Sequence, residues 1–145
     1  MWGRPSAYHY NVYVENEDGT QYYNDGTDFS GLASGSNNYA PTNPALIERV
    51  EADIETFLAK NPDIKLEDIP ADLLTASGSG LDPHISPASA EIQIARIVKA
   101  SGLSEDELRN IIAENTQQKT LGIFGEETVN VLKVNIAIAQ HMGIL

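Results

Sequence analysis

The chain has 145 residues, 41% of them hydrophobic and 21% charged, with a formal net charge of −12 and no cysteine. That size and balance fit one soluble domain, residues 1–145, with a modest core. The acidity excludes a nucleic-acid partner, whose phosphates need clustered Lys and Arg. The lack of thiols excludes disulfides, thiolate metal sites and cysteine nucleophiles.

Residues 1–42 read as a hairpin and loop region, and residues 43–145 as a helical and mixed core. Val12 and Val14 alternate with polar residues and Tyr13, Asp18-Gly19 supplies a turn needing positive φ, and Gln21 to Tyr23 returns. The Gly, Ser, Asn and Pro-rich stretch that follows is a loop. Asn43-Pro44 starts a helix, with Asn as N-cap and Pro at its first position. Leu46, Ile47, Val50, Ile54, Phe57 and Leu58 share one face, and Asn61-Pro62 ends the helix near Lys60. Glu48, Glu51, Asp53 and Glu55 form its solvated side.

An irregular connector leads to Ser86-Pro87, which opens a helix with Ala90, Ile94, Ile97 and Val98 inward and Gly102 as its left-handed stop. Ser104 to Glu107 is a capping box for the next helix, whose inner face is Leu108, Ile111 and Ile112. The run from Val129 to Ile138 fits a strand period better than a helical one. It predicts a strand over about 128–134 and a short helix after it, for which Asn135 is a candidate cap. The class is α+β: three to four helices packed on a small sheet, with an N-terminal hairpin.

Little of this carries chemistry. His9, His84 and His141 lack ligand spacing, so no metal site is expected. Ser79 lies in G-S-G and not in a nucleophile elbow, and no Walker A pattern occurs. The carboxylates sit on outer helix faces. No apolar run of 18 residues is present to span a bilayer. The six small residues from Thr75 to Gly80 remain. Ser77, Gly78, Ser79 and Gly80 expose amides and hydroxyls that suit a phosphate. The same bareness suits a connector pressed against another backbone. Asp82-Pro83 and Ser86-Pro87 hold the following loop extended and rigid.

"GRPSA" (Gly3–Ala7), "PTNP" (Pro41–Pro44), "LLTASGSGLDPHISPASA" (Leu73–Ala90), "QIARIVKASGLS" (Gln93–Ser104), the Gln117-Gln118 pair and "VNVLKVNIAIA" (Val129–Ala139) occur in that order. Together they resemble the C-subunit family of the Kdp-type potassium-transporting ATPase. The resemblance implies a non-catalytic accessory subunit of an ATP-driven pump, partnered by a channel-like subunit and a catalytic P-type subunit. It implies a cell-membrane location through one N-terminal transmembrane helix, with an extracytoplasmic soluble domain. It also implies a role in assembly and a catalytic-chaperone role that raises the ATP affinity of the catalytic subunit. Met1 before WGRPSA reads as the start of a soluble fragment lacking that anchor. The Tyr8–Ala33 segment is longer and more aromatic than the family pattern, so no family role is carried onto it. Gly3, Arg4, Pro5, Asp82, Pro83, His84 and Pro87 are expected to form a partner-facing or structural loop. No resident cofactor is expected. The alternative is a nucleotide-binding regulator with ATP phosphates held by Ser77–Gly80.

Overall fold

The computed structural model describes residues 1–6, 13–23 and 35–145. Antiparallel strands β1 (Tyr13–Glu15) and β2 (Gln21–Tyr23) form the expected hairpin. Gly19 takes φ 81°, and the Asp18 carboxylate accepts from the Thr20 N–H at 2.9 Å, so the Asp-Gly pair turns the chain. Val12 and the rest of Tyr8–Ala33 on either side of the hairpin lie outside the described residues.

Helix α1 (Pro44–Lys60) starts as its sequence dictates: the Asn43 side chain accepts from the Ala45 N–H at 2.9 Å. Phe57 on this helix is buried, Ile54 and Leu58 are partly buried against the core and Leu46 and Val50 are partly covered, so of the expected stripe only Ile47, half exposed, departs. The first half of α1 turns Arg49 inward instead, where its guanidinium donates to the Leu74 carbonyl at 2.9 Å and pairs with Asp53. Asn61 then closes the helix: its side chain donates to the Phe57 carbonyl at 2.8 Å. The connector is two single 3₁₀ turns, Leu66–Asp68 and Ala71–Leu73.

The helix expected from Pro87 to Ser101 is two helices, α2 (Pro87–Glu91) and α3 (Ile94–Ser101). The break lies at Gln93. The Gln93 side chain donates to the Ser89 carbonyl at 2.9 Å, and the Gln93 backbone N–H is left to bond Ala90, three residues back. The turn tightens there and the helix axis is interrupted. Gly102 ends α3 at φ 75°, as a left-handed stop. Helix α4 (Glu105–Glu114) opens on the full Ser104–Glu107 capping box and packs back on α3. The described residues thus hold five helices where three to four are expected, the extra one coming from this split.

Strands β3 (His84–Ile85), β4 (Thr116–Gln117) and β5 (Thr128–Asn130) form an antiparallel sheet in the order β3-β5-β4. The strand predicted to reach 134 stops at Asn130, and α5 (Val131–His141) begins at once. The run of Val, Leu and Ile reads better at a strand period, but the capping bonds override it. The Asn130 side chain accepts from the Lys133 N–H at 3.0 Å, and the Pro83 carbonyl accepts from the Val131 N–H at 2.8 Å. Val131, Val134 and Ile138 then face the core at helical spacing, with Leu132 outside. Asn135 lies inside α5 and caps nothing.

The core joins Phe57, Ile69, Leu73, Ile85, Ala90, Ile94, Ile97, Leu103, Leu108, Val129, Val131, Val134 and Ile138, with Met1 and Trp2 packed against it. Among the described residues no buried side-chain nitrogen or oxygen lacks a partner. Because Asn130 ends the strand and starts the helix, Asn130→Ala should cost about 1 kcal/mol. Urea denaturation followed by circular dichroism measures this.

Candidate functional site

The sequence-distant motifs GRPSA and TASGSGLDPH meet in space. The Arg4 guanidinium donates to the carbonyls of Thr75 and Ala76, each at 3.1 Å, and lies 3.7 Å from the Asp82 carboxylate. The Ser6 hydroxyl donates to the Gly80 carbonyl at 3.1 Å. A side chain on Gly3 would meet Val131, with 3.9 Å between its β-carbon and the valine methyls. Pro5 lies in the same cleft, beside Leu73 and Val131. The first six residues are thus a strap laid across the loop and the start of α5.

The strap is held by two amide side chains, Gln93 and Asn135. Gln93 is fully buried and has all four hydrogen-bonding positions filled. Its Oε1 accepts from the Trp2 N–H at 2.8 Å and from Arg96 at 2.9 Å. Its Nε2 donates to the carbonyls of Trp2 at 3.1 Å and Ser89 at 2.9 Å. Asn135 repeats the pattern one residue earlier, accepting from the Met1 amine and donating to the Met1 carbonyl at 2.9 Å. The Trp2 ring packs edge-on to Phe57 with centroids 6.0 Å apart, and the Arg96 guanidinium lies 4.8 Å from its centroid. The signal for Gln93 was a polar residue on the apolar side of the Ala90–Val98 stripe.

The small-residue loop closes on itself. The Gly80 N–H donates to the Ser77 carbonyl at 3.1 Å, the Leu81 N–H to the Ser79 hydroxyl at 3.1 Å, and the Asp82 N–H to the Ser77 hydroxyl at 3.4 Å. Within Ser77–Gly80 the Gly80 amide is thus engaged inside the chain, and the next two amides, of Leu81 and Asp82, bond the Ser79 and Ser77 hydroxyls. Gly35 comes against this loop and donates its N–H to the Ser79 carbonyl. Gly80 has φ 68°, and a β-carbon there would stand 2.3 Å from the Gly35 carbonyl oxygen. Gly78, expected to share that backbone role, has no positive φ and open space around it. Its bareness has no steric cause in this structure.

Beyond Gly80 the loop is pinned to both neighbours. The Asp82 carboxylate accepts from the His84 N–H at 3.1 Å and lies 2.8 Å from His84 Nδ1. Burial works to raise the Asp82 pKa, but the His84 bonds and the His84 and Arg4 charges hold it below the usual carboxylate range. On its other side the His84 Nε2 lies 3.4 Å from the Asn130 amide nitrogen. An amide is no nucleophile, so this pair orients the loop and relays no proton to a reacting hydroxyl. Asp72 reaches over to the start of α2. Its carboxylate accepts from the Ser86 N–H at 2.7 Å, the Ser89 hydroxyl at 2.7 Å and the Ser86 hydroxyl at 3.1 Å. Pro87, at the first position of α2, gives up an N–H that would have no helical partner there.

A family model described as K+-transporting ATPase, c chain (KdpC) matches residues 1–140. A potassium-transporting ATPase KdpC subunit from Clostridium kluyveri is 58% identical over 99% of this chain and 66% of its own length. One from Clostridioides difficile is 54% identical over 99% of this chain and 68% of its own length. One from Bacteroides thetaiotaomicron is 42% identical over 97% of this chain and 66% of its own length. The chain thus spans about two thirds of the length of these relatives.

Two outcomes follow from this geometry. Gly80→Val should destabilise the fold by at least about 1–3 kcal/mol, from the left-handed φ alone and before the clash with Gly35. Gly78→Val should melt close to the parent, and thermal denaturation of the two variants tests the pair. For Asp72, burial raises the pKa, but the bonds from Ser86 and Ser89 outweigh it and lower the folded-state value. Its stabilising contribution is therefore present above the unfolded value of about 3.9 and is lost as pH falls through the lower folded value. Asp72→Asn should remove that acid-sensitive component and cost about 1–2 kcal/mol at neutral pH. Melting curves from pH 7 down to pH 3 measure both effects.

Proposed function

Because the chain belongs to the KdpC family, the c chain of K+-transporting ATPases, we propose that it is a non-catalytic accessory subunit of an ATP-driven potassium pump. Its partners in this reading are a channel-like subunit and a catalytic P-type subunit. A single membrane helix precedes the strap, and the folded domain lies on the extracytoplasmic side. The domain serves assembly.

The observation that carries the reading is the use of the most distinctive segment, Thr75 to Pro87, as a joint. Its amides, carbonyls and carboxylate are engaged by Arg4, Ser6, Gly35, His84 and Val131 of the same chain. A joint of this kind fixes the strap, and with it whatever precedes the strap, against the helical body. That is useful to a subunit that must present one face to membrane-embedded partners at a set height and orientation. Among the described residues no helix is long and apolar enough to cross a membrane. In this reading ATP is not a ligand of the domain, and the chaperone role is exercised through assembly.

Isothermal titration of the chain with ATP should show no saturable binding, and the purified chain should not hydrolyse ATP. Co-expressed with the other pump subunits, it should be recovered in a complex with them. Saturable ATP binding that is lost in Ser79→Ala but not in Arg4→Ala would instead place nucleotide phosphate at the Ser77–Gly80 loop. It would overturn the assembly-only reading.

A further inference from the structure

The most exposed large apolar side chains near the sheet are gathered in one turn. Leu121 is 84% exposed, Ile123 75% and Phe124 64%. They stand between β4 and β5, at the end of the strand pair farthest from α5 in sequence. This turn belongs neither to the core nor to the strap, and its residues take no part in the loop joint.

The turn is tightly built. The Thr120 N–H donates to the Phe124 carbonyl at 2.8 Å, and the Phe124 N–H returns to the Thr120 carbonyl at 3.0 Å. Inside it, the Gly122 N–H donates to the Lys119 carbonyl at 3.0 Å and the Ile123 N–H to the Thr120 carbonyl at 3.2 Å. Leu121 has φ 55°, in a region that a leucine rarely occupies, and Gly122 follows at φ 72°. Glycine or asparagine is the ordinary choice at a position like that of Leu121. A large apolar residue held there, 84% exposed, is strain that no packing among the described residues compensates.

The base of the turn is acidic. Glu126 and Glu127 are both exposed, and Lys119 lies 3.4 Å from Glu126. Three candidate occupants differ in how they meet this pattern. An anionic bilayer surface would be repelled by the two glutamates and by the net charge of −12. A second copy would bring the same acidic rim against itself. Three side chains also cover only a few hundred Å², well short of the roughly 800 Å² per partner of a standard interface. A pocket with apolar walls and a basic rim on another protein satisfies both the apolar tip and the acidic base.

We propose that the Lys119–Glu127 turn is a preformed docking knob, which inserts Leu121, Ile123 and Phe124 into an apolar, basic-rimmed pocket on another subunit of the pump. The proposal rests on the accessory-subunit reading above. The closed hairpin bonds mean that little ordering remains to be done on docking, which favours a small contact.

The test uses the chain co-expressed with the other pump subunits and recovered through a tag on the catalytic subunit. Ile123→Ser/Phe124→Ser should melt like the parent, because both side chains are already in water, and its recovery in the complex should fall at least tenfold. Leu121→Gly suits the left-handed φ, so it should melt at or above the parent temperature and still lose recovery. Glu126→Lys/Glu127→Lys should lower recovery too, and the loss should shrink as salt is raised. Recovery of the apolar variants at the parent level, with the parent itself recovered, overturns the knob and leaves the subunit reading standing. Failure to recover the parent at all overturns both. Flotation of the parent with phosphatidylcholine or phosphatidylglycerol vesicles, abolished by Ile123→Ser/Phe124→Ser, would show the tip to be a lipid contact and overturn the proposal. A parent dimer in gel filtration that the same variant dissolves would overturn it in favour of self-association.

Discussion

Everything in this architecture turns on Gln93. One buried amide ties the backbone of Trp2 to the carbonyl of Ser89 and to the guanidinium of Arg96. A buried amide with an unfilled position costs more than a made bond returns, so all four of its positions have to be met at once. At the break between α2 and α3 the Ser89 carbonyl accepts from this side chain while the Gln93 N–H bonds Ala90. The same amide gives the Trp2 backbone both a donor and an acceptor and so seats the strap. The helix break and the N-terminal docking thus meet at one side chain.

Once the strap is seated, the remaining pieces follow. Trp2 lies against Phe57 and under Arg96, and Arg96 donates to Asn61 at 3.1 Å. Asn61 in turn holds the end of α1. On the other flank, Asn135 fixes Met1 to α5, and Arg4 reaches the carbonyls before the Ser-Gly loop. The strap thus touches α1, the α2–α3 break, α5 and the loop within six residues. An element that contacts so much of a small domain couples its parts. It also covers the Ser-Gly loop, which Arg4 and Ser6 engage.

The two ends of the structural logic differ in kind. At the strap, polar groups are buried and fully paired. At the Lys119–Glu127 turn, large apolar groups are exposed on a backbone bent into a costly region. Natural turns rarely carry that combination without use, since each feature alone opposes solubility or stability. The contrast separates the part of the molecule that answers to its own fold from the part that answers to something outside it.

The sequence by itself determined the features whose partners lie within four residues. The Asn43 cap, the Ser86-Pro87 start, the Ser104–Glu107 box, the Gly102 stop and the Asp18-Gly19 turn all stand where their residue types place them, because a cap is closed by its own helix. The family was legible for a similar reason, since ordered short motifs survive as text. Tertiary structure alone decided the rest. The Val129–Ile138 run fitted a strand period better than a helical one, yet Asn130 with the distant Pro83 carbonyl set a helix from Val131 onward. Ile47 fitted the inner stripe of α1, but Arg49 took the inward place because the Leu74 carbonyl was there to receive it. Of the bare loop, the sequence showed that some backbone must come close. Only the fold identified Gly35 as that backbone and Gly80, not Gly78, as the glycine that admits it. Gln93 stood out only as a polar residue on the apolar side of the Ala90–Val98 stripe, and the fold alone identified its partner at Trp2, 91 residues away.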